Sequence, residues 1–394
     1  MCPVKLPRPI EYKPVAVRTL LRNMKDFSSL MIDLAFYSLI YNDRELADEV
    51  LKLEEYVDTL WTLMSMQASL SVRDADDAEA MVGVLRLATS TDKVSDAAAD
   101  IAMLVKLGIP PHPAVRASLL SGEEAVSRIT VKSSRLADKL LDEVFDELDI
   151  ALDVIAIRRE DKWFLSPGEG FKLEEMDALI VRGPRESIVK LREAAGDEAA
   201  PLEERPRVDR VEADVAQALI NLKNMSEVMV DLAYLAVITG DRDIAVEVLE
   251  LEDAMDHDRL EAERLVLQRL KDASPDEVIS LMRLILCLEE ISDAAAAIAS
   301  VALFPEVKPH PVLALIVEES DERVIKVTAD QKLAGKKLGD LNLDIHGGTI
   351  LAVKRGKHHY VLPDDEFTLS QGDTLLIKYY EEAAEQLQQL LKAS

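Results

Sequence analysis

Apolar residues recur at helical spacing through Leu20, Met24, Phe27, Leu30, Met31 and Leu34, the pattern of an amphipathic helix with one face turned to a core. A second helix is expected from Asn42-Asp43-Arg44-Glu45, read as a capping box. The start of a third is marked best later in the chain. There Ser274-Pro275-Asp276-Glu277 offers an N-cap, a Pro at the first helical position and a Glu three residues on. Stops are expected at Gly108-Ile109-Pro110-Pro111 and at Pro305. Three helices with short connections predict an antiparallel bundle. The period then changes. Ala125–Val131, Val154–Ile157 and Ala178–Arg182 read as strands, as do Val324–Val327, Ile350–Val353 and Thr374–Lys378. Short helices are expected over Ser134–Val144 and Leu333–Leu341, with closing helices over Glu186–Ala195 and Glu381–Lys392.

This order of elements occurs twice. Val17–Leu60 lies over Val215–Asp258 with nearly half of the positions identical. Ser95-Asp96-Ala97-Ala98-Ala99-Asp100-Ile101-Ala102 faces Ser292-Asp293-Ala294-Ala295-Ala296-Ala297-Ile298-Ala299. Arg159, Pro167, Phe171 and Asp177 recur as Arg355, Pro363, Phe367 and Asp373. The expected fold class is an α+β multidomain chain. Its parts are a helical bundle over 12–118, a small α+β domain over 119–195, a linker over 196–207, a second bundle over 208–317 and a second α+β domain over 318–394.

Composition narrows the function. The 74 acidic and 46 basic residues leave a formal net charge of −28. That argues against a nucleic-acid binder, which needs a basic face for phosphates, and against docking on anionic lipid. The two cysteines, Cys2 and Cys287, stand far apart, so neither a disulfide framework nor a Cys-type zinc site is expected. The opening residues Met1–Pro9 lack the apolar core of a secretory signal, and the longest apolar runs fall well short of a bilayer span. We therefore expect a cytoplasmic protein with no direct membrane insertion. No phosphate-binding glycine loop, dinucleotide fingerprint or nucleophile elbow is present, and no enzyme activity is expected.

The most informative polar pattern is a set of carboxylate pairs. Glu54 and Asp58 are four apart, as are Glu252 and Asp256; Asp92 and Asp96 repeat the spacing, as do Glu289 and Asp293. Residues at i and i+4 share a helix face, where like charges repel. On neighbouring helices, four such acids can converge on a hard cation such as Mg²⁺, Ca²⁺, Mn²⁺ or iron. In so acidic a chain, solvated helix faces account for the same spacing. Asp100 extends the first row but is matched by Ala297, and is read as merely exposed.

The sequence Asp33-Leu34-Ala35, then Glu54-x-x-x-Asp58, then Asp92-x-x-x-Asp96 resembles the PhoU domain, a three-helix bundle with Glu/Asp-x-x-x-Asp motifs on successive helices. Glu252-x-x-x-Asp256 and Glu289–Asp293 fit equally well. The resemblance implies bound divalent metal of the Mg, Mn or Fe class at these acids. The layout departs from PhoU proteins, whose two bundles are adjacent. The stretch Leu333 to Leu376, with Arg355, Pro363, Phe367 and the turn Gly372-Asp373, is similar to the TrkA-C (RCK C-terminal) domain. The first copy fits more loosely, with Met176 where the turn has Gly. That family regulates potassium transporters and channels, pairs into dimers, and in several members binds ligands such as cyclic di-AMP or other nucleotides. Cations for such a ligand would come from Arg158 and Arg159 in the first copy and Arg355, His358 and His359 in the second. The resemblances imply a regulator of potassium or other cation transport that contacts a membrane transporter or channel, as a homodimer or as an internal pseudo-dimer. A metal-binding regulator of phosphate uptake and a scaffold without ligand are the alternatives.

Overall fold

The structure is a computed structural model. It describes residues 12, 14–109, 112–113, 115, 124–150, 152–160, 162–165, 167–168, 170–197, 210–303, 322–341, 343, 348–356 and 358–380. The expected closing helix at Glu381–Lys392, most of the linker, and the stop at Pro305 lie outside these residues.

The first half begins with α1 (Val17–Tyr41), α2 (Arg44–Ser71) and α3 (Ala75–Lys106), each packed on the other two. The α1–α2 turn passes through Asn42, with φ 47°; Asn tolerates this left-handed conformation better than most residues. Asp43 caps α2, its carboxylate accepting the N–H groups of Glu45 at 2.9 Å and Leu46 at 3.1 Å. The expected capping box does not form here. With Asp43 as N-cap the reciprocating position belongs to Leu46, which carries no carboxylate. The second half repeats the bundle as α6 (Arg210–Thr239), α7 (Arg242–Arg269) and α8 (Pro275–Ser300). At the start of α8 the box does close: Glu277 accepts the Ser274 N–H at 2.8 Å and donates its own N–H to Ser274 Oγ at 3.3 Å.

Each bundle is followed by a four-stranded antiparallel sheet. The first comprises β1 (Glu124–Thr130), β2 (Asp153–Arg159), β3 (Lys162–Leu165) and β4 (Ala178–Pro184), in the order β1-β4-β2-β3. The second comprises β5 (Glu322–Thr328), β6 (Gly348–Arg355), β7 (His358–Val361) and β8 (Thr374–Tyr380), in the order β5-β8-β6-β7. In the first module α4 (Leu141–Leu148) and α5 (Arg185–Ala195) complete the unit. The helix expected over Ser134–Val144 starts later, at Leu141. Its intended first turn is diverted because the N–H groups of Asp138 and Leu141 donate to Leu173 and Phe171 across the module. The second module shows the same diversion, Gly335 and Leu338 donating to Leu369 and Phe367. There the expected helix over Leu333–Leu341 shrinks to a 3₁₀ turn at Gly339–Leu341.

Each sheet is covered on both faces. In the first, Ile129, Ile157, Leu179 and Val181 pack with Ile188 and Leu191 of α5. Ala156 and Ile180 instead join the apolar cluster of the bundles, as do Leu351, Ala352 and Leu376 of the second sheet. A register shift between Val154 and Ala156 recurs between Ile350 and Ala352. Such a bulge resets the alternation of side chains along the strand.

One buried ion pair recurs in both modules. The Arg159 guanidinium donates to both oxygens of Asp177 at 2.8 Å, and Asp177 is wholly buried. Arg355 grips Asp373 in the same way at 2.8 and 2.7 Å. Both guanidiniums lie over two aromatic rings, Phe164 and Phe171 or Tyr360 and Phe367. Met176, φ 71°, takes the left-handed turn that Gly372, φ 89°, takes in the second module. The turn geometry survives the loss of glycine.

The halves meet as an internal pseudo-two-fold pair. α3 packs on α8, and both are lined with small buried residues such as Ala98, Ala102, Ala295 and Ala299. Lys25 lies over the ring of Tyr234, 5.5 Å from its centroid, and the equivalent Lys223 lies over the ring of Phe36, the equivalent of Tyr234, at 5.7 Å. Contacts that exchange partners in this way mark an isologous interface.

Candidate metal centre

α2 and α3 run side by side and bring the first carboxylate set together. Oxygens of Glu54, Asp58 and Asp96 all lie within 4.8 Å of one another. Asp92 joins them from one turn earlier on α3, and its buried Oδ1 has no hydrogen-bond partner among the described residues. Burial, followed by Asp58, Asp96, Glu55 and Asp92, pushes Glu54 up to about 7. Burial, then Asp96 and Asp58, pushes Asp92 up to about 7. Asp58 and Asp96 are also raised, each chiefly by burial. Four acids short of counter-charge, one with an orphaned oxygen, suit a hard divalent cation.

The second set converges less tightly on α7 and α8. Burial and neighbouring acids raise Glu252, Glu289 and Asp293. A cation of the chain itself partly offsets the last two: Arg259 Nε lies 3.7 Å from Glu289, while its Nη1 holds Glu263 at 2.9 Å. In the first copy this place belongs to Trp61, whose indole N–H donates to Thr89 at 3.2 Å. The two clusters thus share a sequence pattern and differ in charge balance.

The two sets open on one cleft of about 550 Å³ between the bundles, lined among others by Glu54, Lys93, Asp96, Asp100, Glu290 and Asp293. Asp100, read from sequence as merely exposed, is exposed and also faces this cleft. Its i+4 spacing from Asp96 is the one signal that marks it. Glu290 and Lys93 carry no such signal, because their placement depends on how the bundles pack.

The residues read as ligand contacts in the modules have other tasks. Arg159 and Arg355 are tied to Asp177 and Asp373, with further bonds to the carbonyls of Lys172 and Thr368. Their guanidiniums are thus engaged within the fold. Arg158 donates to the Glu160 carbonyl and reaches Glu49 at 4.0 Å. His358 is exposed on β7. His359 points the other way, its side chain 4% exposed, with Nε2 3.5 Å from Glu247 and 3.8 Å from Glu250 on α7. Lys326 and Lys354 bind the same Glu247, and Lys354 also binds Glu250. In the first copy the matching contact is simpler, Trp163 donating its indole N–H to Glu49 at 3.2 Å. Glu49 and Glu247 therefore seat the modules on the bundles, a role that the sequence pattern does not reveal.

A PhoU domain family model matches residues 21–105 and 219–302, and a TrkA-C domain model matches residues 323–392. No curated protein matches the chain. Among solved structures, PhoU from Pseudomonas aeruginosa is 14% identical, the alignment covering 73% of this chain and 93% of that one at a TM-score of 0.41. The phosphate transport system regulatory protein PhoU from Streptococcus pneumoniae is 10% identical, with the same coverage and a TM-score of 0.40. The GsuK RCK domain is 13% identical, covering 70% of this chain and 64% of that one at a TM-score of 0.18. No helix among the described residues is long and apolar enough to cross a membrane. The first module shares the strand order, the bulge and the Arg–Asp pair of the module that carries the TrkA-C match. The chain thus combines two PhoU domains with a TrkA-C domain, domain types of regulatory proteins.

Proposed function

We propose that this chain is a non-enzymatic, cytoplasmic regulator of cation transport, potassium foremost, which takes divalent metal at its carboxylate clusters and acts on a membrane transporter or channel. One observation carries this reading: the acid clusters and the seats of the modules share helices. On α2, Glu49 holds Trp163 of the first module, and Glu54 of the cluster follows five residues on, about 7.5 Å along the axis at 1.5 Å per residue. On α7, Glu247 and Glu252 repeat the arrangement. A cation drawn between α2 and α3, or between α7 and α8, acts on the helix that positions a sheet module. In this reading the modules receive a small ligand, with cyclic di-AMP or another nucleotide as the first to test, and Arg158 and His358 are the hairpin cations left to meet it.

Two experiments test the proposal. Protein purified without chelator is assayed for Mg, Mn and Fe, and its melting is followed with added Mn²⁺. Each occupied cluster gives the native state about 2.7 kcal/mol at 100 times Kd, and the share of the first cluster disappears in Glu54→Gln/Asp92→Asn. The metal half fails if the protein shows neither bound metal nor a melting shift. Capture of membrane partners from the source cells then tests the transport half. Recovery of a cation transporter supports it, and recovery of a phosphate-uptake system replaces it with phosphate regulation.

A further inference from the structure

Beside the cleft between α3 and α8, a carboxylate oxygen of Asp100, one of Glu290 and the Sγ of Cys287 all lie within 4.8 Å of one another. The three come from both halves, Asp100 from α3 and the other two from α8. Cys287 is 2% exposed, and its thiol has no hydrogen-bond partner among the described residues. A buried polar group is thus turned on two carboxylates that line an open cleft. Among the described residues, no ion pair neutralises Asp100 or Glu290, although Lys93 lines the same cleft.

A second triad, Glu247, Glu250 and His359, has similar spacing. There Lys326 and Lys354 already neutralise both carboxylates, and an added divalent ion would have to displace them. Electrostatics therefore favours the cysteine-containing group. Its donor set suits a borderline ion, which binds thiolate at about 2.3 Å and carboxylate at about 2.0–2.2 Å. Hard Mg²⁺ and Ca²⁺ prefer oxygen alone.

We propose that Asp100, Cys287 and Glu290 form a site for a borderline divalent cation of the zinc class, which ties the two bundles together across the cleft. Binding replaces the thiol proton: an S–metal bond forms, the S–H bond breaks and the proton leaves to solvent. Water from the cleft completes the coordination. The site occurs once per chain. At the pseudo-symmetric place, Asp100, Cys287 and Glu290 become Ala297, Ser90 and Lys93, which offer neither sulfur nor carboxylate.

The test is a Co²⁺ titration of metal-free, reduced protein carrying Cys2→Ser. The expected result is a near-ultraviolet sulfur-to-cobalt charge-transfer band that saturates at one ion per chain and is displaced by Zn²⁺. The band vanishes in Cys287→Ala. In Asp100→Asn and Glu290→Gln the affinity falls at least about tenfold, since even outer-shell changes cost 10–100-fold. Absence of the band, or a band indifferent to Asp100→Asn and Glu290→Gln, overturns the proposal. The last two changes lie at exposed positions, so the result stands even if Cys287→Ala does not fold. The all-oxygen clusters give no sulfur band, so their failure and the failure of this site are read separately.

Discussion

His359 on β7 lies 3.5 Å from Glu247 on α7, at the edge of hydrogen-bond reach, in the place where the first half of the chain sets Trp163 against Glu49. Burial alone would raise Glu247. His359 and Lys326, with the charge of Lys354, outweigh it and hold Glu247 at about 2. The folded value lies below the usual unfolded value of about 4.3, so this contribution is full above about pH 4.3 and lost as pH falls towards 2. Melting curves of Glu247→Gln should lie below the parent at pH 7 and meet it near pH 2. A parallel offset at every pH would refute the linkage.

The clustered acids of the first bundle carry the opposite sign. In metal-free protein Glu54 and Asp92 stand at about 7, above their unfolded values of about 4. The folded state then holds more protons than the unfolded one between about pH 4 and 7, and stability falls as pH rises through that window. Asp92→Asn should flatten the fall and raise the melting temperature at pH 8. Added Mn²⁺ should raise the melting temperature more in the parent than in the variant, which keeps only the second cluster intact.

Arg259 and Trp61 occupy equivalent positions beside the two clusters. A fixed positive charge beside a bound cation costs several kcal/mol. Arg259→Met should therefore tighten Mn²⁺ binding in the second half by about tenfold or more, and Trp61→Arg should weaken it in the first half by a similar factor. Calorimetric titration of both variants checks this, and equal affinities throughout would show that the neighbour is irrelevant.

The Arg–Asp pairs make a different kind of prediction. Asp373 is 1% exposed and meets Arg355 through two bonds. Removing the acceptor strands the Arg355 guanidinium, which is 37% exposed, and the Ser370 N–H that Asp373 also accepts at 2.7 Å. Asp373→Ala should lower the stability of the second module by about 1–3 kcal/mol, the cost of leaving a partner unsatisfied, and Asp177→Ala that of the first. Adding Arg355→Ala to Asp373→Ala should restore part of the loss, because the stranded guanidinium goes too. Denaturant melts of the full chain show whether it does.

Much of this architecture is legible in the order of residues alone. Three-residue and four-residue spacing places the six long helices, and the Ser274 box closes as its residue types require. The departures are local. Lys139 and its neighbours look helical, but the backbone around Asp138 finds better partners at Phe171 and Leu173. The site is half legible. An i+4 count finds Glu54, Asp58, Asp92 and Asp96 because each pair lies on one helix. It misses Cys287 and Glu290, whose relation to Asp100 arises where two distant helices cross. Strand alternation correctly sends His358 and His359 to opposite faces. Only the docking of the sheet on α7 tells which face is buried.

Lys93 and Glu290 hold equivalent positions in the two halves, and both line the cleft between the bundles. Two identical chains related by a true two-fold axis would have to place the same side chain on both sides. Joining the halves in one polypeptide lifts that constraint, so a lysine stands on one side of the acid-lined cleft where the other side has a glutamate. A charged molecule entering it would meet unlike side chains at equivalent places. The fusion thus gives the pseudo-dimer a direction that a symmetric dimer cannot have.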